Sequence, residues 1–440
     1  MIELFSILFS FLILFSISSF PLKVSFKDQK NFLNYSNIFD VLFFNLTINV
    51  IIIFLISFTK LDYTKYFLLI IVVSILFNLY NLIKIKDYLN FFIQKKFIFF
   101  VLLNCIIAIY LIANPILAWD GLENWYYKAQ NFFYNYNFFD LKGLKGNNNY
   151  YPHLGTLIWG FFWKNSLLQY EYLGRLFFIY IYLLSIFSIC ELLNKSIQLK
   201  IIIISLIILL SFDDFLFRGY QEILLFSFFI FLSKNFHIYT LNKKSANLLI
   251  CFICLNLIPW IKHEGFLFVL VFTFSMLFLF RYFSKKFEII TFVGLTWALI
   301  FLKNFIFYKY LDLNLVHGGG NKIIGDFNQI FEFISIFSFG LIISIIKYKI
   351  WIFIFISFYF FSTTKLLSNN EKFFNKFFKV NLILFLLLLI GIYYNLYINS
   401  SLDFKWWIDT TLDRLIYSYS GIFVIMIMLT INNIKNYNLK

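Results

Sequence analysis

Asp120 and Glu123 stand three residues apart, directly after a long apolar run, in the stretch LAWDGLENWYYKAQNFF at 117–133. A carboxylate placed there can take the proton of an attacking hydroxyl, the work of a general base. Trp125 and Lys128 lie in the same stretch, and Tyr150, Tyr151, Pro152 and His153 follow some twenty residues on. Farther along, Asp213, Asp214 and Arg218 make a short polar turn. WIKHEG supplies Lys262, His263 and Glu264, and WWIDTTLDR supplies Asp409, Asp413 and Arg414. Arg offers a fork of donors suited to a phosphate, and Lys a point charge. His317 precedes three glycines, but no P-loop Lys-Ser/Thr follows them.

Plainer roles compete with these. Asp120 with Glu123 at N3 equally describes a capped helix start. Trp119 and Trp125 fit an aromatic belt at a membrane surface. Lys262 fits a snorkelling flank. No pair of histidines has zinc-ligand spacing. Cys251 and Cys254 form a CxxC inside an apolar run, without the context of a redox motif.

The rest of the chain explains why these groups stand out. Of 440 residues, 61% are hydrophobic and 13% charged, with a mean hydropathy of +0.82. Soluble domains carry about 25% charged residues, and apolar runs of membrane-spanning length recur here from end to end. The runs are continuous rather than alternating, which excludes a β-barrel. The sequence therefore describes an all-α polytopic membrane protein. Residues 2–20 lack the basic start of a signal peptide and are read as a retained span.

About 13 transmembrane helices are expected, at 2–20, 41–59, 66–83, 97–118, 173–192, 199–212, 220–233, 246–260, 265–280, 288–306, 329–346, 380–398 and 415–432. Two apolar pieces are too short to cross. The piece 154–163 is expected to lie at the interface, and 351–361 to be re-entrant or interfacial. The net charge of +15 gathers in the short loops between spans, so it calls for no nucleic acid. By the positive-inside rule those loops, 347–349 among them, are cytoplasmic. The outer face then holds the N-terminus, the large loops 119–153, 307–328 and 399–414, and every acidic motif named above. Ionisable groups beside lipid-facing helices are costly unless they face a polar cavity or one another. Their sharing of one face argues for a single site. Only Arg175, Arg218, Arg281 and Arg414 break the dominance of Lys among 37 basic residues, so each is a place to look for chemistry.

The order of the motifs resembles the GT-C superfamily, polytopic glycosyltransferases that use polyprenyl-phosphate sugars. The likeness is greatest to bacterial protein-mannosyltransferase-like and lipid-A-sugar-transferase-like members. It covers roughly 97–306 and 399–420. It implies an N-terminal set of transmembrane helices at 1–96, a catalytic core at 97–306 with the outer loop 119–153 carrying short interfacial helices, and a C-terminal part at 307–440. It matches Asp120 to the family's acid just after a span, Asp213 or Asp214 to a second acid, and Lys262, Glu264 and Gly265 to its Lys-x-Glu-Gly element. Two departures are plain: three apolar segments precede the span that leads to Asp120, and no Asp-Glu doublet occurs there. A divalent metal is left open.

On this reading Asp120 is the general base, assisted by Glu123, and one displacement inverts the sugar. Lys262, Arg218 and Arg414 hold the donor phosphate. Trp125, Lys128, Tyr151, His153, Asp213, Asp214 and Glu264 line the substrate. The partners are a polyprenyl-phosphate-linked sugar, an envelope acceptor and the lipids of the cytoplasmic membrane, with the site on its outer face. Two alternatives are a transporter or flippase, and an O-antigen ligase- or polymerase-like enzyme. A transporter would place charge midway along its spans and break paired helices in two halves; here the ionisable groups sit at span ends.

Overall fold

The computed structural model describes residues 2–21, 37–59, 62–84, 93–143, 151–213, 217–310, 327–363, 369–400 and 403–437. Every regular element among them is helical. Nine of these helices are long and apolar enough to cross a membrane, as a multi-pass membrane protein requires. Four other expected spans, those near 2–20, 199–212, 246–260 and 265–280, form apolar helices of 15 to 17 residues. The chain divides into two compact units, one of Met1–Ile208 with Phe212–Ser227, the other of Leu209–Ser211 with Phe228–Lys440.

In the first unit, α1 (Ile2–Ser18), α2 (Ile38–Ile56), α3 (Tyr63–Lys84) and α4 (Lys95–Ala113) precede the large loop. A short helix α5 (Tyr127–Phe133) and α6 (Leu154–Lys164) follow, then α7 (Glu171–Cys190). α7 is enclosed along its whole length and packs against α1, α2, α4 and α6. Interhelical hydrogen bonds of the kind that join membrane helices fix its depth. Tyr180 and Ser18 share one at 2.6 Å, and the Ser188 hydroxyl donates to Asp40 on α2. Asn49 on α2 donates to the Ile17 and Phe20 carbonyls at 3.0 and 2.9 Å, closing the end of α1.

The piece 154–163 is enclosed by the rest of the first unit. It is α6, and each of its residues from Leu154 to Trp163 is buried. Glycines explain how so bulky a helix fits. A Cβ on Gly160 would sit 2.3 Å from the Ala129 carbonyl of α5, and one on Gly174 of α7 would sit 2.5 Å from the Trp159 carbonyl. Bare backbone at both places lets three helices touch, which a hydropathy window does not register.

α8 (Ile197–Ser211) and α9 (Glu222–Asn242) lead into the second unit, which holds α10 (Ser245–Ile261), α11 (Glu264–Phe278) and α12 (Lys286–Phe305). Beyond them come α13 (Phe327–Lys347), α14 (Ile350–Thr363), α15 (Asn369–Asn399), a single turn α16 (Phe404–Trp407) and α17 (Asp413–Tyr437). Asn381 on α15 donates to the Ser275 hydroxyl of α11 at 3.0 Å and accepts from the Tyr419 hydroxyl of α17 at 2.8 Å, fixing three helices at one level.

The piece 351–361, expected to be re-entrant or interfacial, lies within one continuous helix. This is α14, laid along α17, where the Trp351 indole donates to the Ile416 carbonyl at 3.2 Å and Phe358 meets Phe423. One stage earlier, Phe333 of α13 touches Phe404, Gly340 abuts Ile408, and Lys347 pairs with Asp413. α13 and α14 thus advance in the same direction along the 404–423 stretch. This corrects the assignment of 347–349 and 399–414 to opposite faces, since an ion pair sets Lys347 and Asp413 at one depth. The sidedness rule turns the chain back at every basic break; here the chain keeps its direction through Lys347 and Lys349.

Two predictions follow from this packing. A double Lys347→Cys, Asp413→Cys protein should form an oxidant-induced cross-link, and single cysteines at these positions should react with a membrane-impermeant reagent from the same side of sealed vesicles. Labelling from opposite sides would restore the sequence-based topology.

Candidate functional site

The loop carrying Asp120 is tied down by Arg175. This side chain is fully buried at the first turn of α7. It donates to the Pro115 carbonyl at 2.6 Å, to the Phe217 carbonyl at 3.2 Å and to Glu171 at 2.9 Å. Its Nε lies 2.8 Å from the other Glu171 oxygen. One guanidinium therefore joins the segment before Asp120 to the turn before Arg218. The two strands of chain then meet directly. The Ala118 amide donates to the Arg218 carbonyl at 3.0 Å. Gly121 lies so close that a Cβ would sit 2.3 Å from the same carbonyl, and Gly219, at φ +97°, completes the contact. Only glycine adopts that φ without strain.

Asp120 is half-buried and already helical (φ −62°, ψ −34°), and its side chain makes no capping bond. The capping reading therefore fails. The carboxylate instead accepts from the Asn124 amide at 3.0 Å, one turn along. Residues Gly121–Tyr126 form a π-helix, a widened turn frequent at functional sites. It separates Glu123, which is exposed, from Trp125, which is buried. Arg218 and Asp213 are half-buried; Asp214, Tyr150, His317 and its glycines fall outside the described residues.

Three residues expected to meet a substrate are packing groups here. Trp125 is 2% exposed and meets the Tyr151 ring edge-on at 5.3 Å. His153 is fully buried, its ring surrounded by those of Phe54, Phe58, Phe132 and Phe138. Lys128 is buried and donates to the Tyr151 carbonyl at 2.6 Å, closing the loop on itself. Aromatics and a histidine flanking a loop look alike whether they face a ligand or the core; burial decides, and sequence spacing does not show it. Tyr151 itself is half-buried.

The second unit holds its own cluster at the start of α11. Lys262 lies 3.5 Å from Glu264. Lys262, His263 and Arg414 all act on the Glu264 carboxylate through their charge. Beside it, Tyr393 and Thr411 share a hydrogen bond of 2.7 Å. A residue that the sequence reading passed over, Lys303 at the end of α12, is 3% exposed, with its ammonium 5.9 Å from the Trp260 ring and 5.1 Å from that of Phe307. Its signal was available: a lysine within an apolar span next to a turn rich in ionisable groups. The charge of Arg414 thus reaches the Lys-x-Glu-Gly element through Glu264. Among the described residues no three His, Cys, Asp or Glu side chains gather as metal ligands.

No protein-family profile matches the chain, and no curated protein or solved structure is detectably similar to it.

Burial lowers the Lys128 ammonium to about 7, since water stabilises its charged form and the pocket does not. Between pH 7 and the ordinary lysine range near 10.5 the unfolded chain then binds a proton that the folded chain does not. Stability should therefore rise with pH across that window. The thermal midpoint in detergent should climb from pH 7 to pH 10, and Lys128→Met should flatten the climb. Replacing Arg175 by Gln leaves Glu171 alone in an enclosed site, at a cost of about 3–5 kcal/mol for a broken buried pair. The thermal midpoint should fall sharply, while Arg281→Gln on the surface leaves it unchanged.

Proposed function

We propose that the chain is a multi-pass membrane glycosyltransferase of the GT-C type, with about 13 membrane-spanning helices, acting at the outer face of the cytoplasmic membrane. It would move a sugar from a polyprenyl phosphate to an envelope acceptor. The observation that carries this reading is the setting of Asp120. The carboxylate lies just past a span, half-buried, free of capping duty, on a π-helical turn held against the turn of Arg218.

The chemistry suits that setting. The donor's isoprenoid tail stays in the bilayer, so its reactive carbon must sit at the membrane surface. Asp120 accepts the proton of the acceptor hydroxyl as its oxygen attacks the anomeric carbon. The carbon–oxygen bond to phosphate breaks with inversion, and the phosphate leaves with the electron pair. Arg218 is suited to receive that charge bidentately. Asn124, bonded to Asp120, keeps the carboxylate turned toward the loop. Glu123, exposed one residue before Asn124, is available to orient the acceptor. Buried Trp125, Lys128 and His153 then serve by holding the loop rather than by touching sugar.

The test is transfer of radiolabelled sugar from a polyprenyl-phosphate hexose or pentose to envelope lipid and polysaccharide by the purified protein in proteoliposomes. Asp120→Asn should lower transfer by about 10²–10⁴-fold, the range of general base catalysis, with unchanged insertion and thermal midpoint. Arg218→Lys should raise the donor KM more than it lowers kcat. Full activity of Asp120→Asn would remove the base assignment, and no transfer from any such donor would remove the reading itself.

A further inference from the structure

A cavity of about 460 Å³ opens in the second unit between α13 and the stretch from Lys405 to Asp413, within the usual size range of ligand pockets. Its polar wall carries Lys405, Asp409 and the Lys347–Asp413 ion pair. Phe339 and Ile343 of α13 form its apolar wall.

The charges divide into two pairs of different character. Asp413 is already neutralised by Lys347. Lys405 and Asp409 lie four residues apart, the spacing at which helical side chains of opposite charge meet. Yet among the described residues neither makes an ion pair or a side-chain hydrogen bond to the other, and both are exposed. They present one positive and one negative charge to the same opening. Asp409 stands on the π-helical turn Ile408–Leu412, which is wider than an ordinary α-helical turn.

The apolar wall extends beyond the cavity. Phe339 is 68% and Ile343 50% exposed, and Ile342 and Ile346 continue that face of α13 with 55% and 60%. In a multi-pass membrane protein such a face belongs to lipid tails. A charged opening continuous with it fits the headgroup of the same molecule. The complement of one cation and one anion a helical turn apart is a headgroup carrying one anion and one cation, the former a phosphate and the latter an N–H donor.

We propose that this cavity is a site for a membrane phospholipid bearing a primary ammonium, a phosphoethanolamine headgroup. Its phosphate lies against Lys405, its ammonium against Asp409, and its acyl chains along Phe339 and Ile343. A phosphoglycerol headgroup lacks the cation and leaves Asp409 facing a phosphate. A phosphocholine headgroup has the cation but no N–H to donate to the carboxylate. The site stands apart from the transferase reading and does not depend on it.

Native mass spectrometry of the detergent-purified full chain, titrated with dioleoyl phosphatidylethanolamine, phosphatidylglycerol or phosphatidylcholine, tests the proposal. One phosphatidylethanolamine should be retained at least tenfold more tightly than either of the others. Asp409→Asn and Lys405→Gln should each abolish that preference while leaving residual binding of all three lipids. Soluble glycerophosphoethanolamine should fail to compete, since it lacks the chains. Equal retention of the three lipids by the unaltered protein would overturn the proposal without any variant. So would an undiminished preference in folded Asp409→Asn.

Discussion

Everything arranged around Asp120 rests on one buried guanidinium. Arg175 sits at the start of the most enclosed helix of the first unit and spends its donors on two backbone carbonyls and one carboxylate. Pro115 and Phe217 are about a hundred residues apart in sequence, and each exposes a carbonyl where the chain leaves helical structure. The Phe217 carbonyl lies on a buried residue, and a buried carbonyl without a donor is expensive. Arg175 satisfies both, and Glu171 balances the charge that doing so brings inside. The Ala118 amide and the close approach of Gly121 add to the hold of Arg175 on the loop of Asp120 beside Arg218.

Glycine does for shape what Arg175 does for polarity. Gly160 and Gly174 let α6 sink between α5 and α7, and Gly121 with Gly219 lets two turns touch backbone to backbone. Close approach of this kind is how helices associate where no hydrophobic driving force separates them from lipid. The consequence is a loop whose inner side is rigidly packed by Trp125, Lys128, Tyr151 and His153, and whose outer side offers Asp120 and Glu123.

In the second unit the governing pair is Lys347 with Asp413. Each charge would be costly beside the exposed apolar face of α13; together they are tolerable. Their union lets α13 and α14 run in line along the 404–423 stretch. α15 has 31 residues, about 46 Å at 1.5 Å per residue, and exceeds a hydrocarbon core of about 30 Å. It therefore carries polar ends past the core, and its Glu371 end meets Asn433 of α17.

The sequence alone determines the membrane class, the helical composition and the positions of nearly every apolar helix. It does so because the cost of exposing backbone to hydrocarbon leaves a chain of this hydropathy no other regular structure. It also marks Asp120, Arg218, Lys262, Glu264 and Arg414, since a charge in so apolar a chain stands out by type alone. Burial and depth were settled only by tertiary contact. Whether His153 faces a ligand or four phenylalanines, whether 154–163 lies at a surface or within the core, and whether Lys347 and Asp413 share a depth each depend on partners tens of residues away or more. Hydropathy is a property of a window, whereas burial and register belong to pairs of segments, and only the folded chain brings those pairs together.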